Sequence, residues 1–206
     1  LLNAGRKYLG IPEDKDLKGV FYISSGLGGM SGAQPKATEI AGGIGVFAEV
    51  DESRIKTRYE QGWVSKVSDN LDQILDWMME YKEKGEAVSI AYHGNIVDLL
   101  EYLDEKNVKI ELISDQTSCH AVYEGGYTPA GCSFEEGREI LKSNPGKFKK
   151  LVDESLVRHY NVLKRLTEKG ANFWDYGNSF MASVFEAGVR EIATNQTDTS
   201  EGFIWP

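Results

Sequence analysis

Along the chain, short β-rich apolar runs alternate with longer stretches in which apolar residues recur at helical spacing. Val20-Phe21-Tyr22-Ile23-Ser24 is the first run, and it feeds a glycine-rich turn, Ser25-Gly26-Leu27-Gly28-Gly29-Met30-Ser31-Gly32. A helix is expected over Ala33–Ala41, with Pro35 in its first turn, where the missing N–H costs little. Ile44-Gly45-Val46-Phe47-Ala48-Glu49-Val50 reads as the next strand. Asp69–Lys84 places Leu71, Ile74, Leu75, Met78 and Tyr81 close to a 3.6-residue period, which predicts a helix. Ala87–His93 is the third strand and Ile96–Glu105 the helix after it. Val108–Ile113 is the fourth strand, running into Ser114-Asp115-Gln116-Thr117. A long loop follows, up to Gly131, and loops of that length are usually functional or mobile. Helices dominate from Phe134 to about Glu168, with a break near Pro145-Gly146. A last strand over Ala171–Tyr176 precedes Gly177-Asn178 and a helix near Met181–Ala187. Strands alternating with helices imply a parallel sheet with helical crossovers. The fold class is therefore α/β, a Rossmann-like doubly wound parallel sheet with helices on both faces.

Composition narrows the options. The 206 residues are 41% apolar and 27% charged, enough for one sizeable core, and a single domain over residues 1–206 is expected. A net charge of −9 argues against nucleic acid and against an anionic membrane surface as partners. No apolar run approaches the roughly 20 residues that span a bilayer. Cys119 and Cys132 are too few for a structural zinc site and form no disulfide framework, which fits a reducing cytoplasm. The chain starts at Leu1, Leu1–Lys7 is no signal peptide, and the end at Gly202–Pro206 is apolar; the expectation is a domain excised from a longer chain.

The strand–glycine loop–helix unit is the strongest local signal. Gly26, Gly28 and Gly32 form G-x-G-x-x-x-G, one residue longer than the usual dinucleotide fingerprint. Glycines let the backbone approach a diphosphate, and a helix N-terminus offers unpaired N–H groups to it. A tight turn packing a helix on a strand accounts for the same glycines. Glu49, twenty positions after Gly29 at the end of the second strand, can accept hydrogen bonds from ribose hydroxyls and would repel a 2′-phosphate, favouring NAD over NADP. A solvated strand-end acid is the plainer alternative. Arg54 is either a phosphate or adenine contact or an exposed arginine, and spacing does not choose. Gly94-Asn95 and Gln116-Thr117-Ser118 follow the third and fourth strands, so several strands deliver polar residues to one sheet edge.

Other groups carry less. His93, His120 and His159 lack metal-ligand spacing, so no metal is expected, and His159 reads as a helix-surface or core-edge residue. Cys119 beside His120 is not a nucleophile–base pair, and no G-x-S-x-G elbow surrounds Ser118. Phe173-Trp174-Tyr176 reads as core packing, with Tyr176 as the exception.

Three segments, Gly26–Pro35, Asp115–His120 and Asp175–Asn178, resemble in order and spacing those of the urocanate hydratase (urocanase) family, and the likeness extends over essentially the whole chain. The resemblance implies a homodimeric cytoplasmic lyase of histidine degradation that adds water to urocanate to give imidazolonepropionate. NAD⁺ would serve as an electrophile and not as a hydride acceptor. Carried over by position, the cofactor-binding residues are Gly29, Met30, Ser31, Glu49, Arg54, Asn95, Ile96, Gln116, Thr117, Ser118, Cys119, His120, Tyr127 and Tyr176. Ser31 stands where the family has glycine, and Ile96 and Cys119 where it has alanine. Residues 122–128 include one more position than the pattern, and Thr128 stands where leucine is usual. The family's catalytic cysteine sits in a Cys-Arg-Gly context that neither Cys119 nor Cys132 has. The expectation is that no catalytic residue lies in this chain and that alone it does not turn over urocanate. An NAD-dependent oxidoreductase domain and a non-catalytic NAD-binding module are the competing readings.

Overall fold

The computed structural model describes residues 1–115, 119–176 and 179–202. The helices are α1 (Leu2–Leu9), α2 (Gln34–Ile40), α3 (Glu52–Glu60), α4 (Leu71–Lys84), α5 (Ile96–Glu105), α6 (Phe134–Ser143), α7 (Pro145–Glu168) and α8 (Ser179–Glu186). The strands are β1 (Phe21–Ser25), β2 (Ile44–Glu49), β3 (Lys66–Ser68), β4 (Val88–His93), β5 (Leu112–Asp115) and β6 (Asn172–Asp175). All six form one sheet in the order β3-β4-β2-β1-β5-β6, and every pairing is parallel.

Every residue of β1, β2 and β5 is buried, because helices cover both faces. On one face Tyr22, Phe47, Leu112 and Trp174 pack with Ile55 of α3 and the apolar side of α1. On the other, Ile23, Val46, Ile90 and Ile113 meet α4, α5, α7 and α8 through Met78, Leu99, Leu156 and Phe180. Gly45 lets α2 close on β2: a Cβ there would lie 2.6 Å from the Phe47 ring and 3.0 Å from Thr38 Cγ2.

The helices have local reasons to start where they do. Asp51, Asn70 and Asn95 cap α3, α4 and α5 through side-chain oxygens, Ser133 and Glu136 form a capping box on α6, and Asn144 with Pro145 opens α7.

Four expectations need correction. α1, α3 and β3 are further elements beyond those expected: α3 buries only Ile55, and β3 is a three-residue edge strand, so neither writes a period into the sequence. The fourth strand begins at Leu112 and not at Val108. Before it, the Val108 N–H closes the end of α5 on the Leu103 carbonyl, and the Glu111 carboxylate takes the Phe21 N–H. The loop after β5 includes a 3₁₀ turn at Val122–Glu124. His159 is 1% exposed, a core residue of α7 and not a surface one.

From β1 the chain steps outward to β2 and later, on the other side, to β5. The connections that leave the carboxyl ends of β1 and β5 therefore run to opposite sides and open a crevice between them, the usual ligand position in such sheets.

Candidate functional site

At that crevice lies a cleft of about 530 Å³. Its first wall is the glycine loop. Gly26 turns in the left-handed region (φ 84°), which glycine adopts without strain, and donates its N–H to Ala48 O at 2.8 Å. The Leu27 N–H donates to Glu49 Oε2 at 2.7 Å. Among the described residues, the N–H groups of Gly28, Gly29 and Met30 have no acceptor within the protein, and all three residues line the cleft. A Cβ on Gly29 would meet open space, so nothing crowds the approach of a ligand there.

Glu49 ends β2 and is 4% exposed, not a solvated acid. Its second oxygen accepts the Asp51 N–H at 3.0 Å. Arg54 lies one turn into α3, half exposed, with Nη1 3.7 Å from Glu49 Oε2 and Nε 3.4 Å from Asp51 Oδ2. Loop, buried acid and exposed arginine share one corner of the cleft.

The opposite wall comes from the long loop and the ends of β4 and β6. Asn95 and Ile96 start α5 beneath Thr128. Asn95 Oδ1 caps the helix by accepting the Val97 N–H at 2.9 Å, while Nδ2 donates to the Thr128 carbonyl at 2.9 Å. It is a cap and a loop clamp together. Asn95→Ala should therefore cost about 1–2 kcal/mol of stability in urea unfolding. An unchanged midpoint would deny both bonds.

The 119–126 segment doubles back, with the Gly126 N–H on Ala121 O at 3.1 Å, so that a Cβ on Gly126 would strike the His120 carbonyl. This fold-back brings exposed His120 and the buried ring of Tyr127 to the same cleft. Burial pushes the Tyr127 phenol far above its ordinary range, and its hydroxyl is 3.5 Å from His159 Nδ1. Tyr176, 45% exposed, closes the far end beside Ser179. Beneath it the Asp175 carboxylate accepts the Phe180 N–H at 2.7 Å to start α8, and burial raises its pKa.

Of the fourteen residues expected at the cofactor, nine line this cleft: Gly29, Met30, Glu49, Arg54, Asn95, Ile96, His120, Tyr127 and Tyr176. Ser31 and Cys119 are buried and do not line it. Gln116, Thr117 and Ser118 lie outside the described residues. Ser25, Ala48, Val50 and Phe134 line the cleft without having been expected there. The first three sit at the carboxyl ends of β1 and β2, which the parallel topology alone brings to this edge. Among the described residues no group of three His, Cys, Asp or Glu side chains is placed to hold a metal ion, and no helix is long and apolar enough to cross a membrane.

A family model described as the urocanase Rossmann-like domain matches residues 1–206. The chain belongs to the urocanase family. Curated relatives of this urocanase-family chain carry matching names. It is 45% identical to the probable urocanate hydratase of Caenorhabditis elegans over 100% of the chain. It is 47% identical to the urocanate hydratases of Mus musculus and Homo sapiens over 92% of the chain. The chain spans only 28–30% of the length of these relatives.

Proposed function

We propose that residues 1–206 form the NAD-binding domain of a cytoplasmic, dimeric urocanate hydratase, whose reaction adds water to urocanate to give imidazolonepropionate in histidine degradation. The observation that carries the cofactor reading is the unbonded amide run Gly28–Met30 beside the buried Glu49 carboxylate. The residues fit a dinucleotide. The amides suit the diphosphate, as backbone N–H groups commonly do. Each Glu49 oxygen accepts one N–H and has a further lone pair for a ribose hydroxyl. A carboxylate at that position opposes a 2′-phosphate, which favours NAD⁺ over NADP⁺. Arg54 would bind beside them, and Asn95, Ile96, His120, Tyr127 and Tyr176 would bound the other half of the ligand, with Ser31, Gln116, Thr117, Ser118 and Cys119 proposed to complete the set.

When bound, the dinucleotide supplies an electrophilic nicotinamide ring that withdraws electron density from the substrate. The chain's own task would be orientation: the cleft residues would hold the cofactor and keep the reacting partners aligned. The remaining groups of the reaction, a cysteine among them, are proposed to come from the part of the relatives' length that this chain does not span.

Titration calorimetry tests the reading. The chain should bind NAD⁺ at one site and NADP⁺ at least about tenfold more weakly, the like-charge penalty expected for a 2′-phosphate facing a carboxylate. Absence of heat with NAD⁺, together with no cofactor mass in native mass spectrometry, would refute it. Growth of reduced-cofactor absorbance on adding urocanate would favour an oxidoreductase instead.

A further inference from the structure

Arg58 is four residues beyond Arg54 on α3, half-buried, and does not line the cleft. Its guanidinium nonetheless reaches the glycine loop from behind. Nε donates to the Leu27 carbonyl at 2.9 Å and Nη2 to the Gly28 carbonyl at 2.7 Å. Nη1 is held by Gln61 Oε1 at 2.8 Å, and the guanidinium carbon lies 5.1 Å from the centre of the Trp63 ring. Gly32 is shaped to this arrangement, since a Cβ there would lie 2.2 Å from Arg58 Nε and 2.4 Å from Gly28 O.

Peptide planarity converts these bonds into an aim. In a trans peptide the C=O of one residue and the N–H of the next point in opposite directions. The Leu27 carbonyl shares its plane with the Gly28 N–H, and the Gly28 carbonyl shares its plane with the Gly29 N–H. Carbonyls drawn toward Arg58 therefore turn two successive N–H groups away from it, on the side where Gly28 and Gly29 line the cleft. A rigid planar fork can hold two adjacent carbonyls at once; a lysine ammonium is a point charge on a flexible stem.

We propose that Arg58 is a positioning residue for cofactor binding, which sets the direction of the Gly28 and Gly29 amides through the carbonyls of Leu27 and Gly28. It touches no ligand itself. The inference rests on the reading that the cofactor diphosphate lies on this loop. Its effect is preorganisation: without the fork the Gly28 carbonyl keeps the Gly32 N–H at 2.9 Å, the Leu27 carbonyl loses the Arg58 donor, and the loop samples more peptide orientations from which binding must select the right one.

The test compares the parent chain with Arg58→Gln and Arg58→Lys by NAD⁺ calorimetry, thermal melting and hydrogen exchange. Both variants should stay folded, melting modestly below the parent, and bind NAD⁺ about tenfold more weakly, with faster amide exchange confined to the segment from Gly26 to Gly32. Parent-like affinity in folded Arg58→Gln would overturn the inference. So would parent-like affinity in Arg58→Lys, because charge alone would then suffice. If Arg58→Gln does not fold, Arg58→Lys decides by the same two readouts. Failure of the parent chain to bind NAD⁺ would overturn the cofactor reading and this inference with it, whereas binding by the parent and by both folded variants alike overturns the inference only.

Discussion

Replacing Glu49 by alanine should destabilise the chain by about 1–3 kcal/mol and weaken NAD⁺ binding by a comparable further amount, because two separate sets of partners lose the carboxylate. In the ligand-free fold both oxygens accept backbone N–H groups, from Leu27 and from Asp51. Leu27 is fully buried, so water does not readily replace the lost acceptor. The ion pair to half-exposed Arg54 adds little, as exposed pairs generally do. Glu49→Gln is the sharper comparison. An amide turns one acceptor into a donor, which must then face an N–H, either that of Leu27 or that of Asp51. The glutamine variant should therefore lose stability too, despite its matching shape, by about 1–2 kcal/mol. Urea unfolding with and without NAD⁺ separates the two effects. An alanine variant with the parent's midpoint and affinity would remove Glu49 from both roles.

How far the sequence shows the fold depends on what each element buries. β1, β2 and β4 lie in the sheet interior, so they read as apolar runs, and each is found within a residue or two of its expected place. α5 is found at Ile96–Glu105 because Leu99, Leu100 and Leu103 repeat on its buried side and Asn95 caps it. α3 has no such signature: in Glu52–Glu60 a single isoleucine faces the core, and the local cues are the Asp51 cap, Glu52 in the first turn and Arg58 in the last. β3 pairs with β4 at the sheet edge and is too short to alternate. Just before the late start of β5, Glu111 makes a long-range bond to the Phe21 N–H across ninety positions, which no local pattern encodes.

The cleft shows the same division. Glycines and strand-end polar residues are visible in the sequence, and parallel topology gathers them at one edge without further information. What each polar atom bonds to is not visible. Glu49 is spaced like a ribose acceptor, yet its first partners are the protein's own amides. Asn95 follows a strand like a ligand contact, yet both ends of its side chain serve the cap and the Thr128 carbonyl. Arg58 has no motif at all, since its partners are carbonyls thirty residues upstream. Buried polar groups find partners wherever the fold brings them, and that pairing is decided by tertiary contact.

His159 makes a pH prediction that its place on α7 alone does not suggest. Its ring is enclosed, with Phe180 edge-on at 4.8 Å and the Tyr127 hydroxyl 3.5 Å from Nδ1, and burial depresses its pKa from 6.5 to about 3. The unfolded chain takes up a proton below pH 6.5, whereas the folded chain resists until about pH 3. Stability from this group is therefore fully present above pH 6.5 and drains away as the pH falls toward 3. One such group removes about 2 kcal/mol between pH 7 and pH 5, with a limiting slope of about 1.4 kcal/mol per unit. Burial raises Asp98 and Asp175 above the ordinary carboxylate value, an effect of the opposite sense, since their protonation favours the fold. A subtraction isolates the histidine. His159→Leu gives up the Tyr127 contact and is expected to be less stable at pH 7, but its stability should fall by about 2 kcal/mol less than the parent's on going to pH 5. Parallel decline of the two proteins in urea unfolding at pH 7, 6 and 5 would show that the buried imidazole is protonated in the fold as readily as in the unfolded chain.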